Sequence, residues 1–284
     1  MKTHRLLAPI ALLVLVALPA RAALPIVENF NSYTASPTDV TGIGSSPGFG
    51  GTGNGWLSGW RSSTSNTTVT AKVLDTTPLN SGGNYFSTTI ATGATTSVDR
   101  GGIGRGYDFT GNSLATTAFN VNFDFRVDTL VANLRYDIFD TSARGFSPNS
   151  NTSWQLEAHD GFWFVRNGAL DTSTGMAFSA ATTYSISIGV NTATSKWSYS
   201  IYDGSTTVSG TALNFRGNGT NTDTNPAGAR WFMVTAGEIA DAAAASTTFS
   251  LDNLVISTIP EPSTTALLFG AATLGAVCIW RRRR

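Results

Sequence analysis

The sequence has 284 residues, a formal net charge of zero at pH 7 and one cysteine, Cys278. Seven of its 18 basic residues and one of its 18 acidic residues lie in the first 22 or the last 26 positions, so the segment between them has 11 basic and 17 acidic residues. An acidic middle segment argues against nucleic-acid binding through a basic patch. Without cysteine, that segment has neither disulfides nor thiolate chemistry.

The N-terminus has the three parts of a secretory signal peptide. Lys2 and Arg5 precede an apolar stretch at 6–18, and small residues stand at Ala20 and Ala22. We therefore predict export of the chain and cleavage by signal peptidase after Ala22. An uncleaved anchor helix is the alternative, although the apolar stretch is short for a full membrane span.

Strand patterns dominate the segment from 23 to 258. At 119–128, apolar and polar residues alternate over ten positions, as in an antiparallel strand with one buried and one solvated face. Residues 184–190 and 197–201 repeat this alternation and flank a turn at 191–196, which predicts a hairpin. Weaker strands are predicted at 67–74, 85–90, 134–139, 154–158, 162–166, 231–235 and 248–257.

Turn signals separate these strands at short intervals, and helical periodicity is limited to one Ala-rich patch at 238–245. Two segments rich in Gly, Ser, Thr and Asn, 36–55 and 217–228, are predicted loops. Asp-Gly or Asn-Gly pairs, which favour tight turns, stand at 160–161, 167–168 and 203–204. These patterns predict an all-β fold, an antiparallel two-sheet β-sandwich.

Short motifs near both ends of this segment resemble those of laminin-G/concanavalin A-like lectin-glucanase domains. They are ENFNSY at 28–33 followed by GW at 59–60, and FSLDNLVIS at 249–257. The resemblance implies a concanavalin A-like jelly roll in which the first and last strands pair side by side. A likeness of fold does not by itself transfer an activity.

Glucanases of this type use paired carboxylates, and no matching motif is present. The three glutamates, Glu28, Glu157 and Glu238, stand apart in the sequence, while Asp137 and Asp140 are predicted to face opposite sides of one strand. The single histidine of the segment lies in a turn, without a Gly-x-Ser-x-Gly serine or a His/Cys cluster. The sequence favours a non-catalytic protein, and carboxylates brought together only by the fold remain the open alternative.

Tryptophans and one aspartate are the candidate binding residues. Trp56 and Trp60 lie in a Gly-rich stretch, and Trp163 has phenylalanine on both sides, so one of those neighbouring rings must face outward. Because exposed rings stack on the apolar faces of sugars, these three are candidate glycan-binding residues; the alternative is that they plug the ends of the sandwich. Asp252, beside Asn253, interrupts the last strand and is a candidate calcium ligand, or it caps a bulge. No other cofactor is indicated.

The C-terminus has three consecutive parts. Pro260, Glu261 and Pro262 precede an uncharged stretch at 264–280. At about 1.5 Å per residue, those seventeen residues approach the thickness of a bilayer core. A cationic block follows them and resists translocation; it consists of Arg281, Arg282, Arg283 and Arg284. We predict a transmembrane helix that keeps the middle segment outside the cytoplasm.

This order of tripeptide, apolar span and arginine cluster resembles the PEP-CTERM sorting signal of Gram-negative bacteria, with Ile259 where the family often has Val. The resemblance implies recognition by an exosortase, a membrane-embedded cysteine protease that processes such tails. It also implies a producing cell that secretes exopolysaccharide.

The predicted organisation is a signal peptide at 1–22, a β-sandwich domain at 23–258 and a sorting signal at 259–284. The predicted function is that of an exported, non-catalytic protein that is structural or polysaccharide-binding. It is anchored in the envelope by its C-terminal helix or released to the extracellular matrix after processing. A lectin-fold glycoside hydrolase or another glycan-processing enzyme is the alternative. A matrix filler without a ligand is a third interpretation, which the sequence does not separate from the first.

Overall fold

The computed structural model describes residues 25–259, apart from 77–78, 80–81, 94–98, 113, 143, 146–151, 217–228 and 239–244. The predicted signal peptide, the Pro-Glu-Pro tripeptide, the apolar span and the arginine cluster lie outside the described residues. So do the predicted loop at 217–228 and most of the Ala-rich patch. None of the described residues belongs to a helix long and apolar enough to cross a membrane.

Strands and their connections make up the described part of the chain, and each of the ten predicted strands is confirmed. Five further strands, β1, β2, β5, β10 and β13, complete the set. In chain order the strands are β1 (Ile26–Glu28), β2 (Trp56–Ser65), β3 (Thr67–Leu74), β4 (Tyr85–Thr92), β5 (Arg100–Asp108), β6 (Phe119–Val127), β7 (Leu134–Thr141), β8 (Gln155–His159), β9 (Phe162–Asn167), β10 (Leu170–Ala177), β11 (Thr183–Asn191), β12 (Lys196–Tyr202), β13 (Thr207–Asn214), β14 (Ala229–Glu238) and β15 (Ser246–Thr258).

Two antiparallel sheets form a β-sandwich, as predicted. Sheet A has the order β13-β12-β11-β6-β15-β4-β3, and β1 also pairs with β15; sheet B has the order β10-β9-β8-β7-β14-β5-β2. The long strand β15 pairs with β4 along its first half and with β1 along its second half, while β6 follows its other edge. Ile26 stands opposite Ile256. The first and last strands therefore lie side by side, as in the concanavalin A-like jelly roll.

Alternation along the strands places the core between the two sheets. On β6 every second side chain is buried, from Phe119 to Val127, and those between them face the outer side of sheet A. On β14 of sheet B, Phe232, Val234 and Ala236 join the same core. Burial of this apolar surface, worth about 25 cal/mol per Å², holds the two sheets together.

Glycines on β5 let the neighbouring strand β14 place large side chains over it. A Cβ atom added to Gly104 would overlap the sulfur of Met233 and the carbonyl oxygen of Phe232. Met233 packs with Phe139 and Trp231 in a second, smaller cluster on the outer side of sheet B. The glycines of β5 therefore leave the space that the side chains of β14 occupy.

The Gly-rich segment at 36–55 is a loop, as predicted, and it packs against sheet A. Ser36 donates its backbone N–H to Val73 O at 2.8 Å, and Val40 donates to Ala71 O at 2.7 Å. Both acceptors lie on β3, the last strand of that sheet. The loop therefore occupies backbone groups that an edge strand would otherwise leave open to pairing with another chain.

Candidate functional site

The three tryptophans expected to contact glycans are core residues. Trp60 and Trp163 are 0% exposed and Trp56 is 4% exposed. Trp60 packs against Phe30 and Phe86, with ring centroids 5.9 and 5.4 Å apart. None of the three tryptophans presents a ring face to solvent. This burial corrects their assignment as glycan-binding residues.

Strand alternation explains where these rings go. Trp163 points inward from β9, so its neighbours Phe162 and Phe164 point outward. Phe162 is the exposed ring expected beside Trp163, with 45% of its surface accessible. Trp56 is fixed by a hydrogen bond from its indole Nε1 to Val27 O, at 3.2 Å. Trp56 and Trp60 therefore lie on strand β2, which begins where the Gly-rich loop ends.

The motif at 28–33 forms a buried anchor between the sheets. Glu28 on β1 accepts the backbone N–H of Phe30 at 3.0 Å, the hydroxyl of Tyr33 at 3.1 Å and a guanidinium N–H of Arg105 on β5. Arg105 also donates to Ser58 O at 3.1 Å. Burial raises the pKa of Tyr33, and the Glu28 carboxylate raises it further. The motif at 28–33, one of those that resemble lectin-glucanase domains, therefore has a structural role in this chain.

A second buried ion pair lies on the side of sheet B that faces the core. Arg230 Nη2 is 2.6 Å from Asp140 Oδ2, and Asp140 also accepts hydrogen bonds from the N–H and hydroxyl of Ser153, both at 2.7 Å. Asp140 stands opposite the core residue Phe232, whereas Asp137 faces the other side of β7. The predicted opposite orientation of these two aspartates is confirmed.

Asp137 and Glu157 come together on the outer side of sheet B. They stand directly opposite each other on β7 and β8, and both are buried. Gln155 Nε2 donates to both, at 2.9 Å to Asp137 Oδ1 and 2.5 Å to Glu157 Oε1. Because one nitrogen contacts both oxygens, Asp137 Oδ1 and Glu157 Oε1 lie within about 5.4 Å of each other, and a close pair of carboxyl groups is what retaining glycosidases use. The fold therefore brings together two carboxylates that no sequence motif predicts to be neighbours.

Arginines surround this carboxylate pair. Arg135 Nε donates to Asp137 Oδ2 at 3.1 Å, and Arg166 Nε lies 2.7 Å from Glu157 Oε1 and 2.6 Å from Asp171 Oδ1. Burial raises the pKa of Asp137; Arg135 lowers it and Glu157 raises it further. Burial and Glu157 also raise the pKa of Asp171. We call these residues, with Gln155, the acid–arginine network.

One carboxylate oxygen of the network is held differently from the others. Glu157 Oε2 is buried and has no hydrogen-bond partner among the described residues; His159 Nε2 lies 3.7 Å from it. The His159 ring stacks on Phe164, with centroids 4.2 Å apart, and its Nδ1 is 2.9 Å from Asp160 Oδ2. The turn histidine thus borders the network, and a substrate reaches Glu157 only if the side chains above it move.

The outer side of sheet A has a different character, because hydroxyl and amide side chains dominate it. A shallow groove of about 220 Å³ lies across β12, β11, β6 and β15. We call it the sheet A groove, and its lining residues are Asn122, Phe123, Asp124, Ser185, Ile186, Ser187, Ser200 and Asn253. Asp124 Oδ1 accepts a hydrogen bond from Ser185 Oγ at 2.6 Å, and Asp124 Oδ2 accepts one from Asn253 Nδ2 at 2.8 Å.

Asp252, the candidate calcium ligand, lies at a bulge of β15. The register shifts between Asp252 and Val255, and Asn253 has a φ of 52°. Asp252 is buried and stands opposite Asp124 in the β6 register. In the described ranges, no group of three or more His, Cys, Asp or Glu side chains is placed to hold a metal ion. Calcium at Asp252 stays a prediction, and thermal melting with and without a chelator tests it.

The end of the chain matches a known family. Residues 258–284 match the family model described as the PEP-CTERM protein-sorting motif. The chain carries a PEP-CTERM sorting motif. This PEP-CTERM motif overlaps the last residue of β15 and contains the Pro-Glu-Pro tripeptide, the uncharged stretch and the arginine cluster. It indicates export and sorting to the cell envelope, and it implies processing by an exosortase.

Solved structures similar to this chain include a sialidase, at 12% identity and a TM-score of 0.46, with 84% of this chain and 19% of that chain covered. A protein of unknown function from Shewanella oneidensis MR-1 has 15% identity and a TM-score of 0.45, over 92% and 99% of the two chains. A GH131 β-glucanase catalytic domain from Podospora anserina has 10% identity and a TM-score of 0.48, over 67% and 80%. No curated protein matches the chain. At these identities the likeness concerns the fold alone.

Proposed function

We propose that this protein is an exported, non-catalytic β-sandwich that is sorted to the cell envelope and contacts polysaccharide there. The PEP-CTERM motif at 258–284 is the observation that carries the proposal. In it, signal peptidase removes 1–22, the domain at 23–258 lies outside the cytoplasm, and 264–280 crosses the membrane. Exosortase processing then either leaves the domain anchored or releases it to the extracellular matrix.

The outer side of sheet A supports the polysaccharide contact. Thr70, Thr89 and Thr248 form a row across β3, β4 and β15, and the hydroxyl oxygens of Thr89 and Thr248 are 2.8 Å apart. Hydroxyl groups both donate and accept hydrogen bonds, as the hydroxyls of sugars do. A surface of this kind exchanges hydrogen bonds with a polymer without burying an unpaired charge.

Mass spectrometry of the mature C-terminus in the producing cell tests the sorting step. Alanine at 260, 261 and 262 should preserve the chain through Arg284, whereas the unchanged protein should lose the arginine cluster. Alanine at Ser263 and Thr264 is the matched control, because it alters residues beside the tripeptide without removing a proline. An intact Arg284 in the unchanged protein would contradict processing at this tail.

A pull-down of the full chain with exopolysaccharide from the producing cell tests the polysaccharide contact. We expect the chain to sediment with the polymer and to be displaced by excess soluble polymer. Indifference to this polymer and to commercial neutral and acidic polymers would remove the contact. A matrix filler without a ligand would then be the remaining function.

The acid–arginine network supports a second candidate function, glycoside hydrolysis. Asp137 and Glu157 stand directly opposite each other on neighbouring strands and share the donor Gln155, and a close pair of carboxyl groups is what retaining hydrolases use. Incubation of the full chain with β-glucans, alginates and the producing cell's own polymer tests this candidate. Hydrolysis that is lost in both Asp137→Asn and Glu157→Gln, and kept in the surface variant Asp128→Asn, would establish it. No product from any of these polymers would contradict it.

A further inference from the structure

We infer that the sheet A groove is a binding subsite for one sugar unit of an uncharged glycan chain, with Asp124 as its central acceptor and Tyr202 as its stacking ring. This inference rests on the proposed polysaccharide contact and gives it a place and a ligand class. Neither residue belongs to the candidate set that the sequence suggests. Asp124 on β6 and Tyr202 on β12 lie on either side of strand β11, and Ser185 on β11 stands between them.

The register places the two residues within reach of one ligand. Ser185 on β11 stands opposite Asp124 on β6 and opposite Tyr202 on β12. Residues opposite each other in an antiparallel pair have Cβ atoms about 4.5–5.5 Å apart on the same side of the sheet. Tyr202 therefore stands beside the groove, on the side that carries Asp124.

Asp124 is held in place and keeps capacity for a ligand. Its two oxygens each accept one side-chain hydrogen bond, from Ser185 and from Asn253. A carboxylate offers about four acceptor sites in total, so each oxygen keeps one. Two adjacent hydroxyls of a sugar ring present two O–H donors side by side, which matches a carboxylate that accepts in bidentate fashion.

Tyr202 supplies a fixed, exposed ring. It is 43% exposed, and its hydroxyl donates to Gly204 O at 2.6 Å. This bond engages the hydroxyl and leaves the exposed part of the ring available to the apolar side of a sugar ring. An aromatic platform beside a hydrogen-bonding carboxylate can contact one sugar unit from two directions.

The volume and charge of the groove define the ligand class. At about 220 Å³ it is smaller than the ~300–1,000 Å³ pockets that enclose a drug-sized ligand. Such a volume suits one unit of a longer chain. The amide and hydroxyl groups of Asn122, Ser187 and Ser200 carry no charge, and Asp124 is the single ionisable residue of the lining. A uronic acid would bring a second carboxylate beside Asp124, so the groove favours neutral sugars over acidic ones.

Titration of the full chain, purified in detergent, with a neutral glucan and with alginate tests the inference. We expect binding to the glucan, weaker binding to alginate, and a loss of about tenfold or more in affinity for the glucan in Asp124→Ala and in Tyr202→Ala. Asp128→Ala is the matched control for the carboxylate and Phe162→Ala for the exposed ring. Both controls should bind like the unchanged protein, and thermal melts should show that all four variants are folded.

The outcomes separate this inference from the proposed function. If the unchanged protein binds a polymer and both groove variants bind it equally well, the groove is overturned while polysaccharide contact stands. Preference for alginate overturns the ligand class. If neither polymer nor the producing cell's exopolysaccharide is bound, the polysaccharide contact fails and the groove fails with it.

Discussion

Glu28 on β1 and Arg105 on β5 form a buried ion pair that joins sheet A to sheet B. The Arg105 guanidinium also lies 4.3 Å over the ring of Trp56 on β2. One arginine thus ties the first strand of the chain to two strands of the opposite sheet. The pair secures a strand of three residues that also pairs with β15 and accepts a hydrogen bond from Trp56.

Replacing Arg105 with alanine should leave the Glu28 carboxylate buried without its partner. Breaking a buried pair in this way costs about 3–5 kcal/mol, so we expect a loss of that size in the free energy of unfolding, measured by urea denaturation. Arg126→Ala is the control, because Arg126 pairs with the exposed Asp128 and such pairs contribute about 0–1 kcal/mol. Equal losses in the two variants would argue against the anchor.

Gly104→Ala should destabilise the sandwich by about 1–3 kcal/mol, as overpacking of a tight contact does. The added Cβ atom would overlap Met233 and the backbone of β14. Gly44→Ala is the matched control, since nothing lies within 4 Å of its Cβ position. Thermal melts of both variants measure the difference, and an unchanged melting temperature for Gly104→Ala would contradict the close approach of β14 to β5.

Trp163→Ala should lower the free energy of unfolding by about 3–5 kcal/mol, because it removes a large core side chain. Its ring packs edge-on against those of Phe178 and Tyr184, with centroids 5.0 and 5.2 Å away. Phe162→Ala, at the exposed neighbour, should change stability by no more than about 0.5 kcal/mol. Chemical denaturation distinguishes the two. A larger effect at Phe162 would reverse the assignment of inner and outer sides on β9.

Asp137 should make stability depend on pH in an unusual direction. Its folded-state pKa is raised above the ordinary 3.8, first by burial, so the native state binds a proton more readily than the unfolded chain does. The contribution of Asp137 to the free energy of unfolding therefore falls as the pH rises from 3.8 through the raised pKa, and it is level above that. Relative to Asp137→Asn, the unchanged protein should lose stability over that window in denaturation series at several pH values.

Asp203→Asn is the control with the opposite sign. Hydrogen bonds from the backbone N–H groups of Thr206 and Ser205 lower the pKa of Asp203. Its contribution to stability should be present above pH 3.8 and lost as the pH falls through the lowered pKa. If both variants followed the same pH trend, the raised pKa of Asp137 would not be supported.

The sequence predicts strands that carry an alternating or a continuous apolar pattern, and it misses strands that carry neither. β6 alternates strictly because sheet A lies between core and solvent. β5 (RGGIGRGYD) shows no such alternation, because its glycines leave room for side chains of the neighbouring strand β14, such as Met233. β10 and β13 end the two sheets and bury few side chains, and half of the residues in each are Ser, Thr or Gly. Local pattern therefore carries no hydrophobic signal for them.

Site residues were harder to predict than strands, because they depend on register. Asp137 and Glu157 become neighbours through the pairing of β7 with β8, and the connection between those strands is too long to fix the register as a tight turn would. Tyr202 and Asp124 meet across an intervening strand. Trp56 and Trp60 looked like loop residues because their glycine neighbours mask β2. The sorting motif is contiguous in sequence, so its recognition needs no tertiary structure.

The position of β15 has a mechanical consequence. This thirteen-residue strand is hydrogen-bonded along both edges, and the chain continues from it into the sorting motif with no intervening linker. A pull on the tail directed along β15 would load its bonds to β6, β4 and β1 simultaneously, in shear. Rupture would then require many bonds to fail at once instead of one after another.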